Sequence, residues 1–136
     1  MKRHATAIWN GSIKDGNGTL SSQSGGLDNT PYSFNSRFED GKGTNPEELI
    51  AAAHAGCFAM QLSAFLTEEE FEPESLQTKG EVTFKDGNIT NSHLTLEAKI
   101  DNIDQEKFDE LVQKAKKNCP ISKLLNTEIS VEAKLI

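Results

Sequence analysis

Arginine is almost missing from this 136-residue chain, which has only Arg3 and Arg37, and cysteine is as scarce, with only Cys57 and Cys119. Basic side chains are in deficit overall: 14 Lys plus Arg stand against 21 Asp plus Glu, a net charge of −7. An acidic surface repels the phosphates of nucleic acid and of an anionic bilayer, so neither nucleic acid nor membrane is expected as a partner. No stretch reads as approaching the ~20 apolar residues of a bilayer span. Met1-Lys2-Arg3-His4 has the charge of a signal peptide but no apolar run behind it. The expected compartment is therefore the cytoplasm, where the two thiols rest reduced. The thiols and the three histidines, His4, His54 and His93, show no C-x-x-C or H-x-x-x-H spacing, so a structural zinc site is not expected. Gly41-Lys42-Gly43-Thr44 lacks phosphate-loop spacing. The length suits one domain, residues 1–136, large enough to bury a core.

What is present divides into recognisable elements. Residues 1–40 read as short strands with tight turns, Asp15-Gly16-Asn17-Gly18 the strongest, and no helical periodicity; Phe34 to Glu39 reads as an aromatic-flanked strand end. A helix start follows, with Asn45 as N-cap, Pro46 at the first helical position and Glu48 placed to reach back to the cap amide. That helix is predicted to run through Leu49, Ile50, Ala53, Cys57 and Met60 toward Phe65, and its Ala/Gly-rich middle implies close approach by another backbone. Pro73 ends an acidic connector, and Val82-x-Phe84 and Leu94-x-Leu96-x-Ala98-x-Ile100 flank an Asp86-Gly87-Asn88 hairpin turn. Asp104 is placed to cap a second helix facing the core with Phe108, Leu111, Val112 and Ala115; a short helix follows Pro120, and Ile129, Val131, Ala133 and Leu135 form a closing strand. The expectation is α+β, with antiparallel sheet and two principal helices.

The thiols differ in setting. Cys119 precedes Pro120 and should be an N-cap, where amide N–H groups and the helix dipole favour a thiolate. Cys57 lies mid-helix in apolar surroundings, which disfavour its thiolate, and needs a cation or base from elsewhere. His54, three residues before Cys57, could pair with it, although a packed and hydrogen-bonded histidine is the plainer reading. Arg37 can be held by a carboxylate against the core or lie solvated beside Glu39.

Three segments in order, Phe34-Asn35-Ser36-Arg37-Phe38-Glu39, the run from Gly43 to Phe58 ending Ala-His-Ala-Gly-Cys-Phe, and Asn118-Cys119-Pro120-Ile121-Ser122, resemble the OsmC/Ohr family of thiol-dependent peroxidases, its OsmC branch in particular. The resemblance covers essentially the whole chain. It implies an OsmC-like fold and reduction of organic hydroperoxides to alcohols in oxidative and osmotic stress defence. It also assigns roles: Cys57 the peroxidatic thiolate, Cys119 the resolving thiol that closes a disulfide, Arg37 the activating cation and Glu47 the carboxylate holding it. The implied reductant is an external thiol or dithiol, in relatives often a lipoyl dithiol, with no cofactor or metal. Phe34, Phe38 and Met60 would favour bulky substrates.

Glu47 precedes Cys57 by ten residues on one helix, about 15 Å of rise. One chain's Glu47 therefore does not reach its own Cys57, and the expectation is an intertwined homodimer in which a second subunit supplies Glu47 and thereby fixes Arg37. Two other functions use the same cleft: a dimeric protein binding a hydrophobic small molecule, and a redox sensor that signals through the Cys57–Cys119 disulfide.

Overall fold

The computed structural model describes residues 1–136, which divide into two compact units, Met1–Leu49 and Ile50–Ile136. In the first, β1 (Ala5–Asn10), β2 (Asn17–Ser22) and β3 (Thr30–Tyr32) form an antiparallel sheet in that order. The first turn closes earlier than expected, because Asn17 and Gly18 already pair in β2. Gly18 has no room for a side chain, since a Cβ would strike the Ile8 carbonyl and the Tyr32 ring.

The segment expected to be extended is instead a short helix, α1 (Phe34–Phe38). Two serines cause it. Ser33 Oγ accepts from the Ser36 amide, and Ser36 Oγ accepts from the Ser33 amide, a reciprocal cap that starts a helical turn without any apolar periodicity. After it the chain turns at Gly43, whose φ of +106° suits glycine and whose Cβ position is blocked by the Pro31 carbonyl.

The predicted cap of α2 (Pro46–Glu68) is formed: Asn45 Oδ1 accepts from the Glu48 amide at 2.8 Å. The Glu48 carboxylate accepts from the Thr44 hydroxyl at 2.8 Å, one residue before the amide it was expected to reach. By length and composition α2 is long and apolar enough to cross a membrane, with a mean hydropathy of 1.6, which corrects the reading that no stretch approaches a span.

In the second unit, α2 buries His54, Phe58, Leu62 and Leu66, a stripe of i, i+4 spacing. It shares one core with Leu94, Leu96 and Ala98 of β5 (Asn88–Ile100) and Phe108, Leu111 and Val112 of α3 (Gln105–Asn118). Other apolar residues of α2 lie outside this core: Ala53 is exposed, and Met60 is 77% exposed. Gly80 accounts for part of the packing, because a Cβ there would collide with the Ala51 carbonyl; glycine lets β4 (Pro73–Lys85) press onto the small-residue stretch of α2.

Strands β4 (Pro73–Lys85) and β5 (Asn88–Ile100) form the predicted hairpin, with Asp86 at φ +51° and Gly87 at φ +78°. Asp104 caps α3 (Gln105–Asn118) by accepting from the Lys107 amide at 2.7 Å, and the four predicted apolar residues of α3 are buried. Then come α4 (Pro120–Leu124) and β6 (Glu128–Leu135). β6 pairs with β5 in parallel, Leu94 opposite Val131, so this sheet is mixed and not antiparallel throughout. The α3–α4 crossover requires that, since a strand returning after a helix across the sheet runs in its predecessor's direction.

Candidate active site

Cys57 and Cys119 come together. Cys57 sits half-buried on α2. Cys119 is wholly buried where α3 ends and α4 begins; it is the N-cap of α4 with Pro120 next, as expected, yet its side chain makes no cap hydrogen bond. Cys57 packs against the core cluster that includes Cys119. Burial pushes the Cys57 thiol above its ordinary value, and the neighbouring Cys119 pushes it further. The Ile121 backbone N–H opposes this. One short turn, 119–121, thus brings Cys57 both a second sulfur and an N–H group.

His54 is the packed histidine of the plainer reading. It is fully buried, with Nδ1 2.6 Å from Ser92 Oγ and Nε2 2.8 Å from Ser122 Oγ. Burial holds its pKa below the ordinary value, so the ring is neutral and donates from one nitrogen while accepting at the other. Ser92 and Ser122 did not emerge from the sequence reading. The available signal was a serine at an inward position of β5, in phase with Leu94 and Leu96.

In the first unit Arg37 and Glu47 come together. Arg37 Nη2 donates to Glu47 Oε1 at 2.7 Å, and its Nε lies 3.1 and 3.2 Å from the two carboxylate oxygens, a two-pronged clamp. Glu39, the local alternative, is taken by Asn35 Nδ2 at 2.8 Å. Burial works to raise the Glu47 carboxyl, but the Arg37 hydrogen bonds, its own backbone amide and the guanidinium charge together hold it below the ordinary value. Both residues belong to the same chain, which corrects the expectation that a second subunit's Glu47 would fix Arg37. Their nearness follows from the local chain path: Asn45 Nδ2 donates to the Ser36 carbonyl at 3.0 Å, tying the start of α2 to α1.

A cavity of about 230 Å³ adjoins Arg37, walled by Trp9, Ile13, Tyr32, Phe34 and Phe38. The Trp9 and Tyr32 rings lie 5.4 Å apart, and those of Phe34 and Phe38 4.9 Å apart. The Arg37 guanidinium lies 5.1 Å from the centre of the Phe38 ring. The chamber is apolar with one cation at its wall.

An α+β fold carrying two neighbouring free cysteines and a carboxylate-locked arginine defines a thiol-based redox protein. A family model described as OsmC-like protein matches residues 39–134. The chain is 47% identical to Peroxiredoxin OsmC of Escherichia coli (strain K12), over 99% of this chain and 97% of that one. It is 34% identical to organic hydroperoxide resistance protein OhrB of Bacillus subtilis (strain 168), over 87% and 88%. The crystal structure of OhrB of Bacillus subtilis superposes with a TM-score of 0.68 at 30% identity, covering 98% of both chains. An OsmC-like protein from Mycoplasma pneumoniae, 16% identical, shares the fold with a TM-score of 0.79 over 100% of this chain and 98% of its own. The chain belongs to the OsmC-like protein family.

Proposed function

We propose that this chain is a thiol peroxidase that reduces organic hydroperoxides to alcohols, with Cys57 peroxidatic and Cys119 resolving. The observation that carries the reading is the meeting of Cys57 and Cys119, two free thiols packed in one core cluster. The Cys57 thiolate attacks the terminal oxygen of ROOH; the O–O bond breaks, RO⁻ takes a proton and leaves as ROH, and Cys57 becomes a sulfenic acid. Cys119 then attacks that sulfur, the S–O bond breaks, and hydroxide leaves as water as the disulfide forms. An external dithiol, a lipoyl group being the form we favour, reduces the disulfide by exchange and is itself oxidised. The cycle uses protein sulfur throughout and calls for no cofactor.

Within residues 50–136 the group favouring the Cys57 thiolate is a single amide, while burial and Cys119 act against it. A thiolate available near neutral pH calls for a full positive charge, and Arg37 is the cation assigned to it. Glu47 holds the guanidinium in one orientation. Because Arg37 and Glu47 form one clamp, and Glu47 stands about 15 Å up α2 from its own Cys57, the clamp of one copy serves Cys57 of another in an intertwined homodimer. The small and apolar exposed residues of α2, Ala52, Ala53, Gly56 and Met60, support such close contact between copies. The aromatic chamber suits an alkyl or aryl hydroperoxide better than hydrogen peroxide, which has no apolar part to bury. Residues 1–136 would act as one OsmC-like domain in a reducing cytoplasm.

A coupled assay with lipoamide as donor and tert-butyl hydroperoxide as substrate tests this. Wild type is expected to turn over, Cys57→Ser to lose turnover, and Cys119→Ser to stop after one oxidation with Cys57 trapped as sulfenic acid or mixed disulfide. Undiminished consumption by Cys57→Ser would remove the assignment.

A further inference from the structure

The peroxidatic cycle leaves one buried titratable group without a part: His54, fully buried and bonded through both ring nitrogens. Its place is specific. On α2 it lies three residues before Cys57, on a neighbouring part of the same helix face. Its Nε2 partner, Ser122, is three residues past Cys119 in the first turn of α4. Its Nδ1 partner, Ser92, is fully buried in β5, within the rigid hairpin. The ring is thus a strut from sheet to turn, anchored on the helix that carries Cys57.

What the turn delivers explains why its position matters. Cys57 and Ile121 pack against the core cluster that contains Cys119, Cys119 and the Ile121 N–H both act on the Cys57 thiol, and Ser122 is the next residue along. The backbone bonds of this turn run along the chain to α3 and α4, from Cys119 N–H to Ala115 O at 2.9 Å, from Lys123 N–H to Cys119 O at 3.0 Å and from Leu125 N–H to Ile121 O at 3.0 Å. The His54–Ser122 bond is a side-chain tie from the turn to α2.

We infer that His54 is a positioning residue for the thiol pair: through Ser122 it holds the 119–121 turn on α2, so that Cys119 faces Cys57 for disulfide closure. The inference rests on the peroxidase reading for its hydroperoxide step, but the geometry applies to any disulfide exchange at the pair. Disulfide geometry tolerates little error, with an S–S bond of about 2.05 Å and Cα atoms within about 7 Å. A turn free to drift lowers the effective concentration of Cys119 at Cys57, leaving more sulfenic acid open to further oxidation.

Ser122→Ala removes the tie and keeps the ring and its sheet anchor. Ser92→Ala removes a hydrogen bond of the same kind from the same ring, but at the sheet end. Each full-length variant is equilibrated in reduced and oxidised glutathione, where two glutathione thiols are oxidised for each Cys57–Cys119 disulfide reduced. Ser122→Ala is expected to lower the effective concentration of the pair about threefold to tenfold, as the loss of one buried hydrogen bond would, and Ser92→Ala by clearly less. A wild-type value for Ser122→Ala, or an equal drop in both variants, overturns the proposal, the second because it would mark a merely structural role. Exposure to tert-butyl hydroperoxide with a sulfenic-acid trap forms the second arm. Ser122→Ala should leave a larger share of its oxidised Cys57 as trapped sulfenic acid than wild type, and an equal share counts against the strut. If wild-type Cys57 is not oxidised at all, the peroxidase reading fails, and the glutathione result still decides the role of His54.

Discussion

At the scale of single residues, the chain stabilises or destabilises charge by what surrounds each group. Glu47 is ionised because a guanidinium grips it, whereas His54 is neutral because nothing charged compensates its burial. Their effects on stability fall in different pH windows. The folded-state pKa of His54 lies below 6.5, so its neutral form is fully accommodated above that pH. As pH falls below 6.5, the unfolded chain takes up a proton that the folded chain resists, and stability declines until the folded value is passed. Glu47, with its pKa depressed from 4.5, adds stability above that pH and loses it only in more acid solution. Urea midpoints at pH 7.5 and 5.5 should therefore differ, with the lower value at pH 5.5. His54→Gln should flatten that difference; an unchanged slope would show that another group titrates.

At the scale of elements, capping and close approach set the boundaries. Two helix starts were legible because a side-chain acceptor stood three residues before the amide it caps: Asn45 for α2 and Asp104 for α3. Asp104→Ala is expected to lower unfolding stability by about 1 kcal/mol. Its chemical-denaturation slope should stay at the wild-type value, since the change alters one terminus and not the area buried. Helix α1 was not legible, because five residues carry too little periodicity and its cap is a pair of serines acting on each other. Nor did the sequence single out the buried stripe of α2. When nearly every residue of a helix is small or apolar, periodicity no longer marks one face, and His54, the one large polar residue of the middle, turned out to face inward.

At the scale of the whole molecule, the central question is which copy serves which thiol. Coexpressing Arg37→Ala with Cys57→Ser answers it, since each variant alone should be inactive. Where the Arg37–Glu47 clamp serves the partner's thiol, each mixed dimer holds one intact site, and random pairing should restore about a quarter of wild-type activity. Where each chain serves itself, no pairing restores any. The same measurement tests the dimer, because complementation requires that copies associate.

By itself the sequence determined the class of fold, the caps of both long helices and the inward face of α3, which are local properties, since a cap or a hairpin turn depends on neighbours within a few positions. The roles expected of Arg37, Glu47, Cys57 and Cys119 came instead from resemblance to the OsmC/Ohr family. Tertiary structure alone decided the pairings. It joined Arg37 to Glu47 within one chain, placed β6 parallel to β5, brought Cys119 to Cys57 across 62 positions of sequence and set His54 between two serines 38 and 68 positions away. No local pattern encodes those distances, since they follow from how α3 and α4 cross the sheet and where a glycine lets β4 meet α2.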